Sequence, residues 1–214
     1  MLLLKIKTET NFSTCEKQIV FFEEQLELET TEKPKEKLTI EALTRLELQN
    51  LKEECIAEIK EVIKNLTGED FITLCEKIDP AKLKKIFHIT GLEKETTNLS
   101  AIMNNPKIKK ITDQLPPNMI EKIMQIESNG HSFLISAGAF GCMQLTKWIY
   151  NIKPPINPLN SEQAVLRAAK HLLYLFKKYG EKGAVKAYNQ GENNMNNLRA
   201  KKYLSKYQNT ESLV

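Results

Sequence analysis

The chain's 214 residues are enough for one compact domain with a substantial appendage, or for two small domains. With 41% hydrophobic and 27% charged residues it fits a core under a charged surface, and no run approaches the roughly 18–20 apolar residues that a bilayer span demands. The net charge of +4 is unevenly placed: residues 1–115 hold 18 Lys and Arg against 21 Asp and Glu, whereas residues 116–214 hold 13 against 6, so the second segment suits an anionic polymer.

Nucleic acid, lipid head groups and cell-wall polymer would all satisfy that charge. No aromatic–basic interleave or known motif marks a nucleic-acid binder, and none is expected as a partner. Cys15, Cys55, Cys75 and Cys142 form no CxxC pair, and His88, His131 and His171 lack ligand spacing. The thiols therefore read as buried or idle in a reduced compartment, with no metal site. The opening Met1-Leu2-Leu3-Leu4-Lys5 is too short for the apolar region of a signal peptide, and no small-residue cleavage site follows it.

Residues 1–30 alternate weakly through Leu2, Leu4 and Ile6 and again near Ile19–Phe22, which predicts one or two short strands. Thr30–Lys37, polar and interrupted by Pro34, reads as a linker. From Thr39 to Leu66 the apolar positions Leu48, Leu51, Cys55, Ile59, Val62 and Leu66 step by three or four, which predicts a helix that Gly68 ends. Packing on its own neighbours is the plain reading of that stripe; a partner-binding coiled coil is the alternative, so a protein partner for residues 1–115 stays open. Shorter helices are expected around Asp70–Lys77 and Pro80–Phe87, and the polar, proline-dotted stretch from Glu93 to Pro117 reads as a connection.

Beyond Pro116-Pro117 the character changes, and the reading divides the chain into an accessory region (1–115) and a second domain (116–214). Asn118 stands where a helix cap belongs, with Glu121 three residues on as in a capping box. On a helical wheel Met119, Ile120, Ile123, Met124 and Ile126 share one side, and Glu127 falls near the middle of that stripe. A carboxyl group held against apolar walls keeps its proton to higher pH, as a general acid must. A frayed last turn that lets Glu127 reach solvent is the alternative.

No Asp or Glu occurs between Ser128 and Ser161; the interval instead contains Ser136-Ala137-Gly138-Ala139-Phe140-Gly141-Cys142-Met143-Gln144-Leu145, whose small residues allow close backbone approach. Ser161–Tyr179 carries a broad apolar stripe and predicts a central buried helix ended by Gly180. Lys170, Lys177, Lys178 and Lys182 then form a solvated face, with contact to acidic wall polymer as the alternative.

Glu127-Ser128, Gly138-Ala139-Phe140-Gly141-Cys142-Met143-Gln144 and Ala187-Tyr188-Asn189-Gln190-Gly191 stand in the order and at the separations of the lytic transglycosylases of the soluble-transglycosylase (SLT) type, relatives of goose-type lysozyme. Residues 115–208 resemble that family; the N-terminal half does not. Departures are the short step from Ser136 to Gly138, Cys142 in place of leucine, Thr146-Lys147-Trp148 where a proline often stands, and Glu192 in place of a proline.

The resemblance implies a mainly α chain: a lysozyme-like helical catalytic domain at the C-terminus, after a helix-rich accessory region with short strands. It implies cleavage of the β-1,4 bond between N-acetylmuramic acid and N-acetylglucosamine in peptidoglycan glycan strands, without cofactor or metal, leaving a 1,6-anhydromuramyl end. Glu127 would be the catalytic acid and then the base. Tyr188 would hydrogen-bond near Glu127 or the acetamido group, and Asn189 would fix its motif's turn. Met143 and Gln144 would line sugar subsites, and Ser136 would contact Glu127 or substrate. Trp148, the only tryptophan, either packs or stacks on a sugar.

Two rival functions fit the same residues. One is a hydrolytic, goose-type lysozyme activity with Glu192 activating water. The other is a non-catalytic wall-binding or structural component of a virion or secretion apparatus. The expected place of action is the bacterial cell wall or periplasm, with delivery by a phage, a secretion system or lysis left open.

Overall fold

The computed structural model describes residues 66–211 and, ahead of them, residues 53, 54, 56–58, 61–63 and 65. The expected strands of residues 1–30, the linker at 30–37 and the first part of the 39–66 helix lie outside the described residues. Those described between 53 and 65 are helical. The chain divides into two units, Met1–Asn65 and Leu66–Val214. The second unit therefore begins well ahead of the composition break at residue 115.

That second unit is mainly helical. It runs through α1 (Gly68–Lys77), α2 (Pro80–Ile89), a 3-10 turn (Leu92–Lys94), α3 (Leu99–Met103), α4 (Pro106–Thr112) and α5 (Met119–Ser128). Three two-residue strands follow, β1 (Ile135–Ser136), β2 (Ala139–Phe140) and β3 (Leu145–Thr146), and then α6 (Lys147–Tyr150). The chain closes with α7 (Ser161–Gln190), a second 3-10 turn (Glu192–Asn194) and α8 (Leu198–Asn209).

Side-chain oxygens start most of these helices. Thr67 accepts from the Asp70 amide, Asp79 from Ala81, Asn98 from Ala101, Asn105 from Lys107, Asn160 from Gln163 and Asn197 from Ala200, each satisfying a donor that the first turn leaves unpaired. Pro80 and Pro106 add the fixed φ that suits a first turn. The Glu93–Pro117 stretch, expected as a plain connection, thus contains α3 and α4. At five and seven residues they are too short to show a stripe, and their caps and tertiary packing hold them. The capping box expected at Asn118 does not form: Asn118 takes a left-handed conformation (φ 60°) and makes no side-chain cap bond. Asparagine tolerates that region, and the turn from Pro116 places it there, with the Met119 amide on the Pro116 carbonyl at 3.2 Å.

α7 is the central element. Ala164, Val165, Ala168, Ala169, Leu172 and Leu175 are fully buried, and the helix packs against α4, α5, α6 and α8. Gly180 interrupts it with φ 67° and ψ 179°, where the expected terminator stands, but helical structure resumes and continues to Gln190. α1 and α2 join the same core. Phe71 of α1 meets Phe140 and Tyr150 edge to face at centroid distances of 5.2 and 5.4 Å, and Phe87 of α2 meets Phe133 at 5.5 Å. Burial of each such ring contributes about 1.5–3 kcal/mol.

The three strands form an antiparallel sheet in the order β1-β2-β3, with Ile135 opposite Phe140 and Phe140 opposite Leu145. A strap lies ahead of them in the chain. The Thr97 amide donates to the Gly130 carbonyl and the Ser132 amide to the Glu95 carbonyl, both at 2.8 Å, with Thr96 bridged to His131. Under it the hydroxyls of Thr97, Ser132 and Ser161 bond one another at 2.9 to 3.2 Å.

Candidate active site

Glu127 occupies the last turn of α5. Met119, Ile120, Ile123 and Met124 of that helix are buried, and the carboxyl group is half-buried at the end of their stripe. The helix does not fray there, because Asn129 caps it in the left-handed region (φ 52°) and its amide reaches the Gln125 carbonyl. The stripe of α8 turns buried Tyr203 toward the carboxyl group, and its hydroxyl donates to Glu127 Oε1 at 2.6 Å. Burial pushes the Glu127 carboxyl above its usual range; hydrogen bonds from Tyr203 and Asn189 and the charge of Lys206 pull the other way without cancelling it. The group therefore holds a proton more readily than an exposed glutamate, and two donors wait for the carboxylate once the proton leaves.

The neighbouring Ser128 supports the facing loop. Its buried hydroxyl donates to the Cys142 carbonyl at 2.6 Å and accepts from the Gly130 amide at 3.0 Å. From the other side the Tyr188 hydroxyl donates to the Met143 carbonyl at 2.8 Å. Just ahead of these anchors the loop turns at Gly141 (φ 76°), where an added Cβ would lie 1.9 Å from the Pro158 carbonyl oxygen. Only glycine fits there. Gln144, also at positive φ (47°), donates its side-chain amide to the carbonyls of Gly141 and Leu134 at 2.9 and 3.1 Å.

The structure thus brings Glu127, Asn189 and Tyr188 together. Tyr188 feels the charge of Glu127, and burial with that charge holds its hydroxyl well above the usual phenol range. Met143 is fully buried and Gln144 clasps its own loop, so the contacts seen for both shape the turn. Ser136 is exposed on β1 and makes no hydrogen bond to Glu127 among the described residues. Tyr203 and Lys206 escaped the sequence reading. The only signal for Tyr203 is a small-and-aromatic stripe, Ala200, Tyr203 and Tyr207, on an otherwise lysine-rich helix. Beside the site, a shallow groove between α5 and α8 is walled by Gln125, Ile126, Ser205, Lys206, Asn209 and Thr210.

Glu192, a candidate second carboxylate, is engaged elsewhere. It accepts from Lys178 Nζ at 2.6 Å and from the Tyr179 hydroxyl at 2.5 Å, which hold its pKa below the usual range. Among the described residues no group of three or more His, Cys, Asp or Glu side chains is placed to hold a metal ion, and no helix is long and apolar enough to cross a membrane.

The family model described as the transglycosylase SLT domain matches residues 104–210, half of the chain. The chain belongs to the SLT-domain family. No curated protein and no solved structure matches it. SLT membership carries peptidoglycan cleavage of the transglycosylase or lysozyme-like kind as its activity, and cell-wall peptidoglycan as its substrate. The mainly α fold agrees with it. The SLT match begins at residue 104, whereas the strap that holds residues 130–132 is made by residues 95–97.

Proposed function

We propose that this SLT-domain protein is a lytic transglycosylase in which Glu127 cleaves the β-1,4 bond between N-acetylmuramic acid and N-acetylglucosamine and leaves a 1,6-anhydromuramyl end. The observation that carries the reading is the state of the Glu127 carboxyl group. It is raised by burial, held at Oε1 by Tyr203, and close to Asn189 and Tyr188 of the Ala-Tyr-Asn segment.

As an acid, Glu127 protonates the glycosidic oxygen as the bond to the anomeric carbon breaks. Positive charge builds on that carbon, and the sugar's own N-acetyl group stabilises it, which dispenses with a second carboxylate. The Glu127 carboxylate, now favoured by its bonds from Tyr203 and Asn189, takes the proton of the muramyl C6 hydroxyl as that oxygen closes on the anomeric carbon. The proton lost in the first step is regained in the second, and no water is consumed.

Glu192 gives the hydrolytic alternative little support. A carboxylate paired with Lys178 and Tyr179 has a lowered pKa and is a poor base for activating water. Digestion of purified peptidoglycan followed by mass spectrometry tests the proposal. Anhydro-ended muropeptides, each lighter by one water than the hydrolytic product, are expected; reducing ends alone would refute the transglycosylase reading.

A further inference from the structure

Two aromatic rings lie open to solvent. Trp148 is 83% exposed on α6, and Tyr174 is 50% exposed on α7. Neither ring is needed by the core or by the chemistry above. An indole left so open forgoes most of the burial that normally holds it.

Both rings connect to the site by short physical paths. The Tyr174 ring stacks on His171 at 6.4 Å and 19°, and His171 in turn lies against the Tyr188 ring at 6.1 Å. A ladder of three rings therefore runs from the neighbourhood of Glu127 to the surface. Burial lowers the His171 pKa, and a neutral imidazole suits such a stack. The Lys178 ammonium donates to the Tyr174 hydroxyl at 3.1 Å and fixes the ring's orientation. Trp148 stands on α6, which follows directly on the Met143-Gln144 loop and β3. One turn ahead of His171, Arg167 holds that end of α6 to α7 by donating to the carbonyls of Ile149, Ile152 and Pro154 at 2.6 to 3.2 Å. From Arg167 to Tyr174 is about 10 Å of helix. The apolar faces of pyranose rings stack on flat aromatic surfaces, and exposed rings beside a glycan cleft offer such surfaces.

We infer that Trp148 and Tyr174 are stacking positions for the glycan strand beyond the scissile bond. This rests on the proposed glycan-cleaving role. Because Trp148 is the only tryptophan, its emission reports this position alone. The full chain carrying Glu127→Gln would be titrated with N-acetylglucosamine oligomers while Trp148 fluorescence is followed, and its sedimentation with insoluble peptidoglycan measured in parallel. A saturable change in emission is expected. Tyr174→Ala should weaken that half-saturation roughly tenfold, and Trp148→Ala should cut sedimentation comparably while Trp148→Phe restores it. Sedimentation with unchanged emission, and with Trp148→Ala and Tyr174→Ala behaving as the parent, would overturn the stacking role alone and assign the open indole to another surface. If the parent fails to sediment and the wild type leaves peptidoglycan undigested, the glycan reading itself falls, and the stacking role with it.

Discussion

The hydroxyl of Tyr203 sits 2.6 Å from Oε1 of Glu127, although 76 residues separate the two along the chain. This contact joins α8 to α5 and fixes one oxygen of a carboxyl group whose pKa burial raises, and with Asn189 and Lys206 it opposes that rise. It also sets the pH behaviour of the site. A donor to the charged form lowers the pKa, so Tyr203→Phe should raise that of Glu127 further. The limb of the pH–rate profile that falls as Glu127 loses its proton should move to higher pH, while the rate on peptidoglycan drops about tenfold. A limb that stays in place would show that Tyr203 does not tune this carboxyl group.

Glu127→Gln should remove the acid and keep the shape, with activity falling by about 100- to 10,000-fold in a turbidity assay on purified sacculi. Stability should move the other way. The Glu127 pKa is raised in the folded state, so its contribution to stability is full below the unfolded pKa and is lost as pH rises through the folded value. The neutral glutamine escapes that loss. The variant should melt higher than wild type at neutral pH, with the gap closing in acid, as scanning calorimetry at several pH values would show.

Ser128→Ala should uncouple the end of α5 from the Met-Gln loop. The variant leaves the buried carbonyl of Cys142 and the amide of Gly130 short of a partner, at a cost of about 1–3 kcal/mol. Urea denaturation should show that loss, and activity should fall with it because the loop facing Glu127 is no longer held.

Gly141→Ala meets two obstacles at once, a positive φ and a carbonyl oxygen 1.9 Å from the new carbon. A loss of roughly 2–4 kcal/mol is expected, enough to lower the yield of folded protein, whereas Gly138→Ala, with nothing within 4 Å of its new carbon, should be milder. Equal melting temperatures for the two variants would contradict the close approach to Pro158.

Glu192→Gln should leave the ratio of anhydro to reducing ends unchanged, since Glu192 is occupied by Lys178 and Tyr179. A shift of that ratio toward anhydro ends would bring back the water-activating role.

What the sequence revealed of this site follows from how far apart its parts lie. Glu127 was legible because its apolar neighbours Ile123 and Met124 sit within one turn, and periodicity reports neighbours of that kind. The break at Gly180 was legible for the same local reason. Tyr203 was not, because nothing on a lysine-rich helix states which distant group a phenol will meet. Asn118 misled, since its residue type suits a cap and a left-handed turn equally well, and Pro116 decided between them. The helices α3 and α4 were missed because five or seven residues leave no room for a period to show. Ser136 stayed exposed because the turn from β1 to β2 projects outward, which its spacing from Gly138 does not encode.

The strap from Glu95 to Thr97 bears on how this protein can be shortened. A piece begun at residue 104, where the family match starts, would lack the partners of the Ser132 amide and the Gly130 carbonyl, and would open the three-hydroxyl cluster beneath them. Bench work on a trimmed protein is better begun at residue 66, and a protease cut between residues 97 and 104 should weaken the domain by freeing the strap while sparing the residues around Glu127.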